Sequence, residues 1–104
     1  MKKKFAFILM SDAYNPEEHQ ACFEKGTMTS YIYTVRSFDE ACVKMKELAA
    51  EGFGAVELCG AFGPEKAQKL IELTDNRIAV GYVVHNPEQD SLFDAFFQNK
   101  TVNI

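Results

Sequence analysis

Glu57, Cys59 and His85 are the residues whose types and spacing could do chemistry. Cys59 sits at the end of one apolar run and His85 directly after the next. If those runs are adjacent strands, they lie about 5 Å apart. A thiol and an imidazole at their tips would then form a nucleophile and its base, with Glu57 as orienting group. Such a thiol is reactive only where a helix N-terminus or a cation lowers its pKa. The competing reading is a Cys that fills space. Glu57 itself stands inside an apolar strand. It either pairs with Arg36, His85 or a bound ligand, or reaches the rim and meets water.

The segment Glu57-Leu58-Cys59-Gly60-Ala61-Phe62-Gly63 places two glycines around a short turn into a helix. Backbone N–H groups of such a turn can hold an anion. Its spacing is neither GxGxxG nor GxxxxGK[ST]. Pro64 removes one donor and Glu65 already answers the helix dipole, so a plain tight turn is the alternative. Glu57, His19 and His85 are the only set that suggests zinc, and their positions lack the spacing of a metal site. No metal and no cofactor is expected.

These residues must be positioned by elements, and the chain alternates strand-like and helix-like segments four times. Residues 5–10, 30–35, 54–59 and 78–84 read as strands, the first and last nearly all apolar, as in strands covered on both faces. Helices are expected over 16–25, over the segment from Phe38, over 64–74 and over 87–97. The second is the clearest. Phe38, Ala41, Cys42, Met45, Leu48 and Ala49 form one apolar stripe, Ser37 with Glu40 matches a capping box, and Gly52 ends it. Asn15-Pro16-Glu17, Gly63-Pro64-Glu65 and Asn86-Pro87-Glu88 share one device, with Pro at the first helical position and an acid in the first turn. Cys22 and Cys42 read as core. So do Tyr31, Tyr33, Phe93, Phe96 and Phe97, with a Phe96→Ala change expected to cost about 3–5 kcal/mol.

Strand–helix repetition predicts an α/β fold, a four-stranded mainly parallel sheet with helices on both faces. The favoured strand order is 2-1-3-4, a small flavodoxin-like sandwich; a half-barrel is the alternative. In such sheets ligands sit beyond the carboxyl ends of the strands. That rim gathers Asp12, Arg36, Gly60, Ala61, Phe62, Gly63 and His85, with Ser11, Tyr14 and His19 nearby. The apolar fourth strand would lie at an edge, and edges are usually paired or covered. A homodimer that buries this strand or the Phe-rich last helix is therefore expected.

The 104 residues form one domain, with 98–104 as a frayed tail or a short edge strand. The net charge of −4 disfavours nucleic-acid binding. The basic lead Lys2-Lys3-Lys4 precedes only six apolar residues, too few for a membrane span or a signal peptide, and no other stretch approaches the roughly 20 apolar residues a membrane helix needs. Three cysteines without CxxC spacing argue against a disulfide framework and suit a reducing cytoplasm.

With these residues in view, the chain resembles an uncharacterised family of short prokaryotic single-domain proteins. The resemblance rests on Lys4-Phe5-Ala6-Phe7-Ile8-Leu9-Met10, Tyr31-Ile32-Tyr33-Thr34-Val35-Arg36, the strand-end turn from Glu57 to Gly63, and Val80-Gly81-Tyr82-Val83-Val84-His85 with Pro87-Glu88-Gln89-Asp90. It spans residues 4–97. It implies a domain of unknown function and carries no catalytic residue across. Three functions compete. One is a module that binds or senses a small molecule, an anion among the options, at the rim. The second is a small enzyme using Cys59 or Glu57 with His85. The third is an oligomerisation or interaction domain without a ligand.

Overall fold

The computed structural model describes residues 2–98. In chain order these form β1 (Lys3–Met10), β2 (Ala21–Lys25), β3 (Met28–Val35), α1 (Phe38–Ala50), β4 (Ala55–Leu58), α2 (Gly63–Leu73), β5 (Ala79–Tyr82), and a 3-10 turn (Pro87–Gln89) that runs into α3 (Asp90–Gln98). The expectation of an edge strand within 99–104 lies outside the described residues.

The sheet is α/β in class but has five strands in the order β2-β3-β1-β4-β5. β3, β1, β4 and β5 are mutually parallel and stand in the order expected for them. The expected four-stranded sheet is corrected by β2, which pairs antiparallel with β3 in the register Cys22↔Tyr31 and makes the sheet mixed. The helix expected over 16–25 is absent. A ten-residue helix is marginal on its own. Pairing with β3 satisfies the backbone of residues 21–25 in register. Gly26, at φ 67°, supplies the left-handed first position of the two-residue Gly26-Thr27 loop. Cys22 and Phe23 are consequently exposed rather than core.

α1 begins where Ser37 Oγ accepts the Glu40 N–H at 3.2 Å. It ends at Gly52, whose φ of 84° suits a residue without a Cβ. Ala41, Met45 and Leu48 form its buried stripe, and Cys42 packs at the margin. Burial pushes the Cys42 thiol up. α2 buries Ala67 and Leu70. Both crossovers, β3 to β4 and β4 to β5, step the same way across the sheet. Right-handed connections therefore put α1 and α2 on one face, where they touch each other. The core forms between them and Ala6, Ile8, Val35, Val56 and Leu58.

Helices on both faces are thus a second correction, because β1 is linked to β3 through a loop and the antiparallel strand β2, not through a helix. The other sheet face carries Phe5, Phe7 and Ile32, which are half-buried, and Phe23 and Met28, which are 59% and 43% exposed. No helix among the described residues covers it. α3 packs on the preceding 3-10 turn and otherwise stands off the body. Its Leu92, Phe96 and Phe97 are 64%, 72% and 73% exposed, so the core assignment of Phe96 and Phe97 is also corrected. The protein measures 51 × 27 × 26 Å.

Candidate functional site

The strand tips are drawn together by backbone hydrogen bonds one residue beyond the strands. Ser11 N–H donates to the Val35 carbonyl, Cys59 N–H to Ile8 and Val83 N–H to Leu58, each at 3.0 Å. The segments that follow β1, β4 and β5 therefore leave the sheet side by side, as the parallel order requires. They form one wall of a cavity of about 960 Å³, and Gln89, Phe93 and Phe97 form the other.

Most of the lining is apolar: Leu9, Met10, Cys59, Ala61, Val83 and Val84 on the sheet side, with the two phenylalanines opposite. Polar groups enter from Ser11, Tyr14, His85, Asn86 and Gln89. Among the described residues no Lys, Arg, Asp or Glu lines it. An apolar enclosure with a few convergent polar groups is the usual form of a small-molecule site.

His85 fixes the far wall. Its ring stacks on Phe93 with centroids 3.7 Å apart and planes 11° from parallel. Its Nδ1 lies 3.6 Å from an Asp90 carboxylate oxygen. Its Nε2 reaches towards the Gly60 turn, 3.9 Å from where a Cβ on Gly60 would stand. Asn86 Oδ1 accepts the Glu88 N–H at 3.1 Å and caps the turn that launches α3. The Asn-Pro-Glu device thus sets the direction of the cavity wall.

Of the residues that sequence reasoning placed at the rim, Gly60, Ala61 and His85 line this cavity. Cys59 lines it too, and its sulfur accepts the Met10 N–H at 3.4 Å. Arg36 is elsewhere, in a separate open cleft of about 550 Å³ with Asn15, Thr34, Asp39 and Glu40. There its guanidinium pairs with Glu40 at 2.7 Å and its backbone N–H donates to the same carboxylate at 2.8 Å. These bonds hold the Glu40 carboxyl below the usual carboxylate range and raise Arg36. Asp12 is an exposed turn residue, Phe62 is buried in the core, and Gly63 opens α2 with φ 72°.

Glu57 points to the uncovered sheet face, over Gly81 of the neighbouring strand, and away from the cavity. Any Cβ at position 81 would collide with its carboxylate. It is exposed, so the water-facing reading of this side chain holds. His19 is held by its own turn, where its Nδ1 accepts the Asn15 N–H at 2.8 Å. Among the described residues no three His, Cys, Asp or Glu side chains cluster as metal ligands would. No described helix is long and apolar enough to cross a membrane.

Sequence reasoning missed Phe93 and Phe97 as cavity residues because aromatics at helical spacing read as core. The signal was their i, i+4 spacing on an apolar helix launched directly from His85.

The fold and the crevice define a small α/β protein with a mixed sheet, one helix-covered face and a cavity at the strand tips. The chain belongs to the family of unknown function DUF6506, which matches residues 3–98. Neither the curated proteins nor the solved structures contain a significant match to it.

Proposed function

We propose that the protein is a cytoplasmic, homodimeric module that binds or senses a small molecule in the cavity between the strand tips and α3. The observation that carries this reading is the lining itself. A half-open, largely apolar cavity of about 960 Å³ has its polar groups, among the described residues, at Ser11, Tyr14, His85, Asn86 and Gln89. With no cationic side chain among the described lining residues and with Arg36 committed to Glu40, the ligand class is a neutral molecule with an apolar body. His85 and Asn86 supply its hydrogen bonds. This reading departs from the anionic ligand expected from the glycine turn.

A ligand at a hundred times its Kd adds about 2.7 kcal/mol of stability. That raises the Tm of a domain this size by roughly 10–20 °C. A thermal-shift screen of neutral and anionic metabolites tests the reading. Neutral, partly apolar compounds are expected to stabilise the protein, and Ala61→Trp, which projects an indole into the cavity, is expected to reduce the shift. Stabilisation by anions alone, or a shift unchanged by Ala61→Trp, refutes it.

A second reading is a small enzyme, favoured by one observation: Cys59 and His85 line the same cavity. It lacks Glu57, which faces another side of the sheet. It requires iodoacetamide to modify Cys59 faster than an ordinary exposed thiol, with Cys22 as the internal reference.

A further inference from the structure

Two surfaces of this chain are built to be covered and are bare. The first is the sheet face opposite α1 and α2. Strands of a parallel sheet with apolar side chains on both faces are normally packed on both. Here Phe5, Phe7 and Ile32 are only half-buried, and Phe23 and Met28 are largely exposed. The second is the outer edge of α3. Its apolar residues Leu92, Phe93, Phe96 and Phe97 form a wide stripe, as expected of a helix that meets two bodies. Phe93 and Phe97 turn towards the cavity, while Leu92 and Phe96 are not among its lining residues.

We infer that α3 of each chain seats its Leu92–Phe96 edge on the uncovered sheet face of a second copy, in a two-fold arm exchange. Three observations choose a second copy as the occupant. The arm is held outward by the Asn86 cap and the His85–Phe93 stack, so its outer edge cannot close on its own sheet while those contacts persist. The charges match at the amino end of the face. Lys3 and Lys25 border it there, on the side of Phe5 and Phe23, while the Glu57 carboxylate of the same face lies three strands from Phe23, on β4. The arm and its lead carry Glu88, Asp90 and Asp94, with no Lys or Arg between residues 87 and 98. Finally, the area suffices. At 150–250 Å² for each aromatic side chain, the exposed fractions of the arm and the sheet face give roughly 1,200 Å² of apolar burial in a symmetric pair. A stable interface buries about 1,200–2,000 Å² in total. Arm exchange is self-complementary and closes after two copies, so it makes a dimer and not a fibre.

This specifies the homodimer of the preceding reading and does not depend on the cavity holding a ligand. Light scattering of the full chain tests it. Wild type is expected at twice the chain mass of 11.7 kDa. Phe96→Asp on the arm and Phe23→Lys on the sheet are each expected at the single-chain mass with unchanged circular dichroism, since neither side chain is buried in its own chain. An equal mixture of the two variants is expected to return to the dimer. In that mixed pair one seat is fully native and the other opposes Asp to Lys. The double variant Lys3→Glu/Lys25→Glu keeps every apolar contact and is expected to weaken the dimer several-fold at low salt. A monomeric wild type, a dimer that survives either single variant, or a mixture that stays monomeric overturns the arm exchange. An unchanged dimer in the double variant overturns the charge-matched seating.

Discussion

Replacing His85 by Ala removes the contact that holds the wall of the cavity in place. The ring is stacked on Phe93 at 3.7 Å and its side chain is 31% exposed, so most of it is packed. An aromatic pair of this geometry contributes about 0.5–1.5 kcal/mol beyond its buried area. At about 1.4 kcal/mol for each factor of ten, the open population of α3 rises roughly two- to twelvefold. Amide hydrogen exchange reads that population directly, because each segment opens with its own free energy. In His85→Ala, at fixed protein concentration, amides of α3 should exchange faster by that factor. Amides of β1 and α1 should not change, since His85 is no part of the core. His85→Phe, which keeps a ring against Phe93, should restore most of the protection. Equal exchange of α3 in wild type and His85→Ala would mean that the stack does not hold the wall. A loss spread through β1 and α1 would mean that His85 supports the whole domain.

Leu58→Ala empties a fully buried site, and should cost about 3 kcal/mol and lower Tm by roughly 12–24 °C in a thermal melt. Phe96→Ala, at a dilution where the chain is monomeric, should cost under about 1 kcal/mol, because full burial of Phe is worth only about 1.5–3 and this side chain is 72% exposed. The Glu40 carboxyl is held low by Arg36. Its contribution is therefore present above the ordinary carboxylate pKa and lost as pH falls through the depressed value; NMR titration of Arg36→Gln should show the Glu40 pKa moving up. Tyr31 and Tyr33 are both raised, chiefly by burial, so stability should hold below pH about 10 and fall as pH rises towards their folded values. Tyrosinate absorbance should show both ionising above the ordinary tyrosine pKa of about 10, and Tyr33→Phe should flatten the alkaline loss.

The parallel strands, their order and the two packed helices were legible because each rests on a local rule with one solution. The stripe from Phe38 to Ala49 fits only a helix. Right-handed crossovers then leave few orders for strands linked by helices. Segment 16–25 was misread because Pro16 after Asn15 is a turn former as well as a helix starter. Asn15 Oδ1 accepts the Glu17 N–H at 3.1 Å, closing an Asx turn in place of a helix. The Gly26-Thr27 hairpin signal lay at the end of that segment. Arg36 and His85 were both placed at strand tips. Only a structure shows that Glu40, in the first turn of α1, ties Arg36 into a separate cleft.

Phe93, Phe96 and Phe97 bear on what kind of protein this is. A helix that served only as a lid would need Phe93 and Phe97 and would be expected to carry polar residues at 92 and 96. A helix that served only as a dimer arm would need no second phenylalanine, Phe97, along the cavity. α3 carries both sets on adjacent edges, so one rigid element bounds the cavity and presents the docking edge. If both edges are used, cavity and interface are mechanically linked. A ligand that presses on Phe93 and Phe97 changes the free energy of seating Leu92 and Phe96, and by reciprocity dimer formation changes ligand affinity by the same factor. The coupling is therefore read in one number: the ratio of dimer dissociation constants with and without a stabilising compound. A ratio of one would make the two edges of α3 independent and remove the sensing part of the proposed function, leaving binding and assembly as separate properties of the same helix.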